Sequence, residues 1–490
     1  MEEFVKEYKV YAFAVDPIYI GTGGYKLGKV DNTIVRDPTT RLPKIPGSSL
    51  AGVWRYYSAL FLLNKIKDEY RVNLKSRKEK KLYEIIEDES YKNYIHFIDN
   101  NFNSLDSSFK DFLKDFPFWF ATEGNQVIDF LKELTKENSY LKQKFDLPDI
   151  IYDSNQDNFK IKDFSFKITL SDNNICKISL LNDINKEISF TLKSNGSINI
   201  KVDNDSSDIS NISLLFPGNR YVKIKCAGQD DSPNIPYDSI SLEDDLKTGH
   251  CGRCIVCRSF GFTKNDISWQ GLVFFSDLKI LFFPVFTMEG TKWITTKKIL
   301  KEAGLASLDS QKDQDDYTNE KKVNVVTINS NESYINLGWL YLPYTLDDAK
   351  NYIDLQFIDS NGNIKISKKF DLNIKDIVIV PEDLFSHIVN SNLEVRTSVS
   401  IDPITGASKE GALFTSEAIP RGTIFYGEVR IFDKKSFEKT VENRLRPLPS
   451  NKQILNLLEN STVFFETLGI GGMTTRGFGR IKLLIIEKIS

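Results

Sequence analysis

Several segments of this 490-residue chain place reactive residue types at close spacing. The first is His250-Cys251-x2-Cys254-x2-Cys257, whose thiolates and imidazole suit a tetrahedral Zn2+. Gly252 helps the chain turn between the ligands. Four ligands this close in sequence are unusual, because a knuckle ordinarily joins two distant pairs. His250, Cys251, Cys254 and Cys257 form the primary expected set, with Cys226 as the alternative fourth ligand from outside the cluster. Buried free thiols are the bland reading. A catalytic zinc would need a general base, and none lies obviously nearby.

The second segment is Gly21–Arg55, where Asp31 and Asp37 sit among Lys26, Lys29, Arg36, Arg41 and Lys44. A charged surface loop explains this pattern, and so does a polyanion groove that contains carboxylates. Ser48 and Ser49 open a helix, so hydroxyls, amides and a positive dipole end face any phosphate placed there. Arg55 follows about two turns into that helix. The third segment, LGIGGMTTRGFGR at 468–480, allows close backbone approach through its glycines and adds Thr474, Thr475 and Arg476. It lacks the lysine of a Walker loop, and a tight turn is an equal reading. The fourth is 394–423, where two alternating strands flank Asp402-Pro403-x-Thr405-Gly406. Leu413 and Phe414 on its return strand are either core residues or apolar wedges between bases.

The elements that must hold these groups are legible by pattern. Residues 8–20 alternate as a strand, and Leu50, Val53, Trp54, Tyr57, Leu60 and Phe61 fall at helical spacing, with Ser48 as N-cap. Residues 62–145 keep a helical composition, and 150–225 read as short strands between Asp/Asn/Ser turns. The polar stretch 308–322 reads as a loop, 452–466 as a helix and the last residues as a strand. No long internal duplication is present, which argues against a repeat array.

Composition narrows the classes. Sixty-four basic against 67 acidic residues leave a net charge of −3, so any polyanion site is local rather than a basic coat. An apolar fraction of 41% and a charged fraction of 27% exclude whole-chain disorder. The N-terminal residues lack the apolar core of a signal peptide, and the most apolar stretch, 271–286, is interrupted by Ser276, Asp277 and Lys279. No membrane span is therefore expected, and the location is read as cytoplasmic. Five cysteines, three of them clustered, point to a reducing compartment and a metal rather than to disulfides.

The order of the motifs carries more than any one of them. A strand, then I-G-T-G, then V-D-N-x3-R-D-P-x-T-x2-P-x-I-P-G-S-S-L-x-G-x2-R, resembles the RAMP proteins of type III CRISPR RNA-guided complexes. It is most like the repeated backbone subunit that cleaves target RNA. CIVCRSFG followed by a strand resembles the same group, and the later stretches 275–286, 380–419 and 464–480 resemble its Cmr (III-B) version. The cysteine cluster is closer to Csm-like relatives. Residues between about 62 and 245 carry none of these motifs and are far longer than the family's usual counterpart.

The resemblance implies an α+β fold: a modified RRM/ferredoxin-like core over 1–60 and 246–490, with a β-hairpin thumb at 394–420 and a zinc knuckle. A helical insertion at 61–149 and a β-rich insertion at 150–245 interrupt it. It further implies that Asp31 is the aspartate needed for cleavage, with Asp37 second in line. Lys44, Ser48, Ser49, Arg55, Gly471, Gly472, Thr474, Thr475 and Arg476 would contact guide RNA, together with Arg396 on the thumb. The implied cofactors are Mg2+ or Mn2+ for cleavage and a structural Zn2+. The implied partners are guide RNA, complementary target RNA, further copies of the chain and other subunits of the complex. Two readings compete: a scaffold that binds guide RNA without cutting, and a zinc-stabilised interaction protein. With only three histidines, a two-histidine ribonuclease mechanism is disfavoured.

Overall fold

The computed structural model describes chiefly residues 4–23, 30–65, 249–306, 323–325, 334–346, 352–364, 372–434 and 448–487, together with the strands between 150 and 209 and the turn at 224–228. Helices expected beyond Lys65, most of the polar loop at 227–249 and the stretch 308–322 fall outside the described residues.

The chain opens with strand β1 (Val5–Ala14), a short β2 (Lys44–Ile45) and helix α1 (Gly47–Lys65). Seven strands follow: β3 (Ile150–Asp153), β4 (Asn158–Ile161), β5 (Phe164–Ser171), β6 (Ile175–Leu180), β7 (Glu187–Leu192), β8 (Ile198–Val202) and β9 (Asp205–Ile209). Next come α2 (Ile255–Phe260), β10 (Phe262–Lys264), β11 (Ile267–Trp269), β12 (Val273–Phe275), β13 (Leu278–Thr287), β14 (Gly290–Thr295) and α3 (Lys297–Ala303). The third stretch holds β15 (Val323–Val325), β16 (Tyr334–Leu337), β17 (Leu340–Leu346), β18 (Ile377–Ile379) and α4 (Glu382–Ser391). The last elements are β19 (Glu394–Ile401), β20 (Ser408–Ala418), β21 (Ile424–Phe432), α5 (Asn451–Ser461), α6 (Val463–Thr467) and β22 (Ile481–Glu487).

Two compact units result. One comprises Glu7–Trp54, Phe274–Arg430 and Ser461–Ser490; the other comprises Met1–Lys6, Arg55–Val273 and Ile431–Asn460. The first is an α+β unit on a mixed sheet of order β16-β17-β15-β18-β14-β13-β21-β1-β22, with β2 added to β13. β13 reads as a near-continuous apolar run because it is central, and Ile280, Leu281, Phe282 and Phe283 are all buried. Helix α3 packs Leu300 and Ala303 into the same core as Tyr11 and Phe282. Its ends are sharply marked: Thr296 Oγ1 accepts the Ile299 N–H at 3.2 Å, and Gly304 takes the left-handed conformation at φ 77°.

Helix α1 departs from expectation at its start. Ser48 is not the N-cap but lies inside the first turn, because the helix already begins at Gly47. The cap comes from elsewhere in the fold: Asp277 Oδ1 accepts the Gly47 N–H at 2.8 Å. A Cβ on residue 47 would lie 2.8 Å from the Phe275 carbonyl oxygen, so glycine is what allows this approach. Trp54 closes the packing on this side. It is fully buried, its Nε1 donates to Ser461 Oγ at 3.0 Å, and its ring meets Phe465 edge-on at 5.3 Å.

In the other unit, β3 to β9 form an antiparallel sheet in strict sequence order, where alternation predicts strands. Phe159, Phe166 and Ile168 are buried, and the two phenyl rings stack at 5.9 Å.

Removing the indole at position 54 tests the first core. Trp54→Ala should destabilise the protein by about 3–5 kcal/mol, read as a lower denaturant midpoint in equilibrium unfolding. A midpoint equal to wild type would show that Trp54 does not anchor this packing.

Candidate nucleic-acid interface and metal centre

Four buried cysteines converge in the second unit. Cys226 lies on a short 3-10 turn (Ile224–Ala227), Cys251 and Cys254 precede α2, and Cys257 lies within it. Their sulfurs all lie within 4.8 Å of one another, and Cys251 Sγ and Cys257 Sγ are 4.0 Å apart. Sulfurs at the vertices of a tetrahedron around Zn2+ would be about 3.8 Å apart, so the spacing suits that ion. The backbone is shaped for such a centre. The Cys254 N–H donates to Cys251 Sγ at 3.2 Å, the Cys257 N–H donates to Cys254 Sγ at 3.3 Å, and Gly252 turns at φ 69°. Burial pushes the Cys254 and Cys257 thiols well above their ordinary range. A dication reverses that cost by binding the thiolate form, so the group could hold a metal such as zinc.

The structure places Cys226, not His250, with the three clustered cysteines. His250 is buried, with Nδ1 2.9 Å from Arg55 Nη2. Arg55 also donates from Nε to the Cys226 carbonyl at 2.8 Å and from Nη1 to the Gly261 carbonyl at 2.7 Å. The arginine expected to reach an RNA backbone thus straps the turn of one cysteine to the segment after α2.

Asp31 lies in the first unit, half-buried, on a segment zippered to β20. The Asn32 N–H donates to the Thr415 carbonyl at 3.0 Å, and the Glu417 N–H donates to the Asn32 carbonyl at 3.0 Å. Thr415 holds the aspartate at three points. Its N–H donates to Asp31 Oδ2 at 2.8 Å and its hydroxyl donates to the same oxygen at 3.0 Å. The hydroxyl oxygen also accepts the Asp31 N–H at 3.1 Å. The Thr415 N–H, then its hydroxyl, hold the Asp31 carboxyl below the usual carboxylate range. Farther along, Arg36 bridges Glu417 at 2.5 Å and Asn390 Oδ1 at 2.9 Å, which ties the segment to α4 as well.

Asp37 and Lys44 have different work. Asp37 Oδ1 accepts the Thr39 and Thr40 N–H groups at 3.0 and 2.9 Å, the pattern of a side-chain-closed turn. Lys44 Nζ lies 2.6 Å from Asp277 and 3.6 Å from Asp37. Burial pushes the Asp277 carboxyl up, but Lys44 and the Gly47 N–H outweigh it and leave it below the ordinary value. Ser48 is exposed and Ser49 half-buried in the first turn that Asp277 caps.

Among the described strands β19 and β20 form a two-stranded sheet of their own, a hairpin that turns at Asp402 to Gly406, to which the Asn32 segment adds one parallel bridge. Its outward apolar residues are unusually bare: Ile404 is 91% exposed, Leu413 67% and Ile401 62%. These are not core positions. Phe414 beside Leu413 is half-buried. Arg396 at the hairpin base donates to Glu394 at 2.5 Å, to the Gly477 carbonyl at 3.3 Å, and sits over the Phe478 ring at 4.6 Å. The glycine-rich turn is thereby joined to the hairpin. Within that turn Gly471 has φ 88°, and a Cβ there would lie 2.3 Å from the Tyr19 carbonyl oxygen. The Gly472 N–H donates to that same oxygen at 2.9 Å. Gly471 and Gly472 thus pack the turn on the segment after β1, while Thr475 and Arg476 are exposed and Thr474 half-buried.

The hairpin gathers Asp31, Arg396 and the glycine-rich turn. Lys44, Ser48 and Ser49 gather around Asp277, and Arg55 stands with the cysteines. Sequence reasoning missed Thr415, Glu417 and Asp277 as partners. A lone acid inside the apolar run 271–286 was the available signal for Asp277.

Comparison with known proteins meets this geometry. Residues 14–228 and 220–482 match the family model of the RAMP superfamily. A curated relative, the CRISPR system Cmr endoribonuclease Cmr4 of Pyrococcus furiosus, is 23% identical over 222 residues, 44% of this chain and 70% of that protein. A chain of the type III-B Cmr-beta complex in its apo state aligns over 99% of both chains with TM-score 0.39 and 11% identity. Oligomeric Cmr4 from Pyrococcus furiosus aligns over 99% of both chains with TM-score 0.37 and 13% identity. The family match spans most of the sequence and includes the segments that hold Asp31, the hairpin and the glycine-rich turn: the chain belongs to the RAMP superfamily.

Proposed function

We propose that this protein is a backbone subunit of a type III-B CRISPR effector complex that binds guide RNA and cleaves complementary target RNA. The observation that carries the reading is Asp31, a half-exposed carboxylate fastened to the base of a hairpin with bare apolar side chains. In this reading β19 and β20 form a thumb on an RRM-like core. Ile404, Leu413 and Phe414 wedge against bases of the guide–target duplex and free one target nucleotide from its helix. The freed 2′-hydroxyl then lies in line with its own 3′-phosphate. Its oxygen bonds to phosphorus, the bond to O5′ breaks, and the products are a 2′,3′-cyclic phosphate and a 5′-hydroxyl. Asp31 would either accept the 2′-hydroxyl proton or hold a divalent ion on the phosphate oxygens while water takes that proton, and water would supply the proton that O5′ gains on leaving. Both hydrogen bonds from Thr415 fall on Oδ2, so neither of them uses Oδ1. One carboxylate oxygen with RNA phosphate oxygens is an ordinary donor set for Mg2+ or Mn2+. Such an ion would neutralise charge building on the phosphate. Copies of the chain stacked along one guide would place cuts six nucleotides apart.

Exposed Arg476, Thr475 and Ser48 are the groups best placed for guide phosphates. The four cysteines hold a structural Zn2+ that fixes the turn at 224–228 against α2.

In a reconstituted complex with guide RNA, Asp31→Ala should abolish cleavage of a labelled complementary RNA while target binding persists. Cutting that survives Asp31→Ala would sink the site assignment, and binding without cutting by wild type would favour the scaffold reading. Guide-RNA affinity should fall steeply between about 50 and 200 mM salt if several phosphates are neutralised per subunit. A flat dependence would count against the interface. Elemental analysis of purified protein should find one zinc per chain, lost in Cys254→Ser. A zinc-free wild-type protein with ordinary thermal stability would argue for free buried thiols.

A further inference from the structure

We infer that Thr415 is a positioning residue for the cleavage reaction, acting through Asp31, and that the base-displacing hairpin thereby sets the aim of the catalytic carboxylate. This rests on the reading of Asp31 given above. The geometry is specific to the threonine side chain. A backbone N–H alone would leave the carboxylate free to swing about that one bond. The hydroxyl adds a second donor on the same oxygen, 3.0 Å from Oδ2, and accepts the Asp31 N–H at 3.1 Å. The three bonds clamp backbone and carboxylate of one residue together, which restricts χ1 of Asp31 and leaves Oδ1 out of the clamp. Thr415 follows directly on Leu413 and Phe414 along β20 and lies opposite Thr397 of β19. A shift of the hairpin therefore carries the clamp with it. The neighbouring bonds oppose any slip between the two segments: Asn32 Nδ2 donates to Ser416 Oγ at 3.3 Å, the Ile34 N–H donates to Glu417 Oε2 at 3.3 Å, and Arg36 bridges Glu417. Seating the wedge and aiming the carboxylate are in this way one mechanical event.

The test uses reconstituted complexes carrying Thr415→Val, Thr415→Ser or Asp31→Ala, assayed for target-RNA affinity and for single-turnover cleavage under saturating protein. Valine keeps the volume, the strand propensity and the backbone N–H, and removes only the hydroxyl. Thr415→Val removes a charge-assisted hydrogen bond that holds the carboxylate, so it should slow cleavage about tenfold or more at unchanged affinity. Thr415→Ser should restore the rate to within about threefold, since it returns the hydroxyl. A Thr415→Val rate equal to wild type, with Asp31→Ala inactive, would overturn this inference and leave the function intact. Full cleavage by Asp31→Ala would instead overturn the reading on which it rests. A loss of binding in Thr415→Val that serine does not restore would make Thr415 merely structural and also overturn it.

Discussion

Two hydrogen bonds of parallel pairing, from the Asn32 N–H to the Thr415 carbonyl and from the Glu417 N–H to the Asn32 carbonyl, hold the Asp31 segment to β20. The segment 30–36 has no regular element of its own, and a carboxylate on such a segment would ordinarily wander. β20 supplies what the segment lacks: donors and acceptors at fixed strand spacing. The cost falls on the hairpin, which pairs with no other described strand and leaves its outer apolar side chains in water. A two-stranded ribbon is marginal alone, so the side contacts matter. Arg36 with Glu417 on one side, and Arg396 with Phe478 and Gly477 on the other, anchor its base. The free tip and the fixed base are parts of one design, since only the base has to be exact for the aspartate.

The distribution of basic residues follows the same division. A net charge of −3 reads as unfavourable for an RNA binder. Much of the positive charge in the first unit is engaged internally: Lys9 with Glu428, Lys44 with Asp277, Arg480 with Asp16, Arg36 with Glu417. Such partly exposed pairs contribute little stability one by one. Their value is orientation, as Lys44 illustrates. It neutralises Asp277, and Asp277 in turn caps the Gly47 amide and starts α1 where glycine allows close approach to the Phe275–Ser276 backbone. Arg476 stays exposed, and a near-neutral chain is compatible with a local basic surface.

Periodicity and turn chemistry made much of this legible. The hairpin at 394–420, the strands of 150–209, the helix near 452 and the closing strand all stand where alternation or 3.6-residue spacing puts them. What stayed hidden depends on contacts between distant residues. The helix start at Gly47 is set by an acid 230 residues away, and local preference pointed to Ser48 instead. Thr415 reads in sequence as one more β-branched strand residue. Only the register with the Asp31 segment makes it a clamp. The cysteine spacing announced a metal, but the fourth member of the group lies 25 residues before Cys251, and the adjacent histidine was the more visible candidate.

Arg55 shows why motif and role separate. Its place in P-G-S-S-L-x-G-x2-R matches a residue that reaches RNA, yet three of its donors are committed within the cysteine-bearing unit. A dication with four thiolates carries two net negative charges in a buried setting, and burying unbalanced charge is costly. A guanidinium hydrogen-bonded to the carbonyl of one ligand residue offsets part of that charge and closes the loop between Cys226 and α2. The planar fork of arginine reaches Cys226, Gly261 and His250 at once, which a lysine ammonium on a flexible stem would not reproduce. Arg55 therefore ties the Cys226 turn to the segment after α2, a structural role that its place in the motif does not announce.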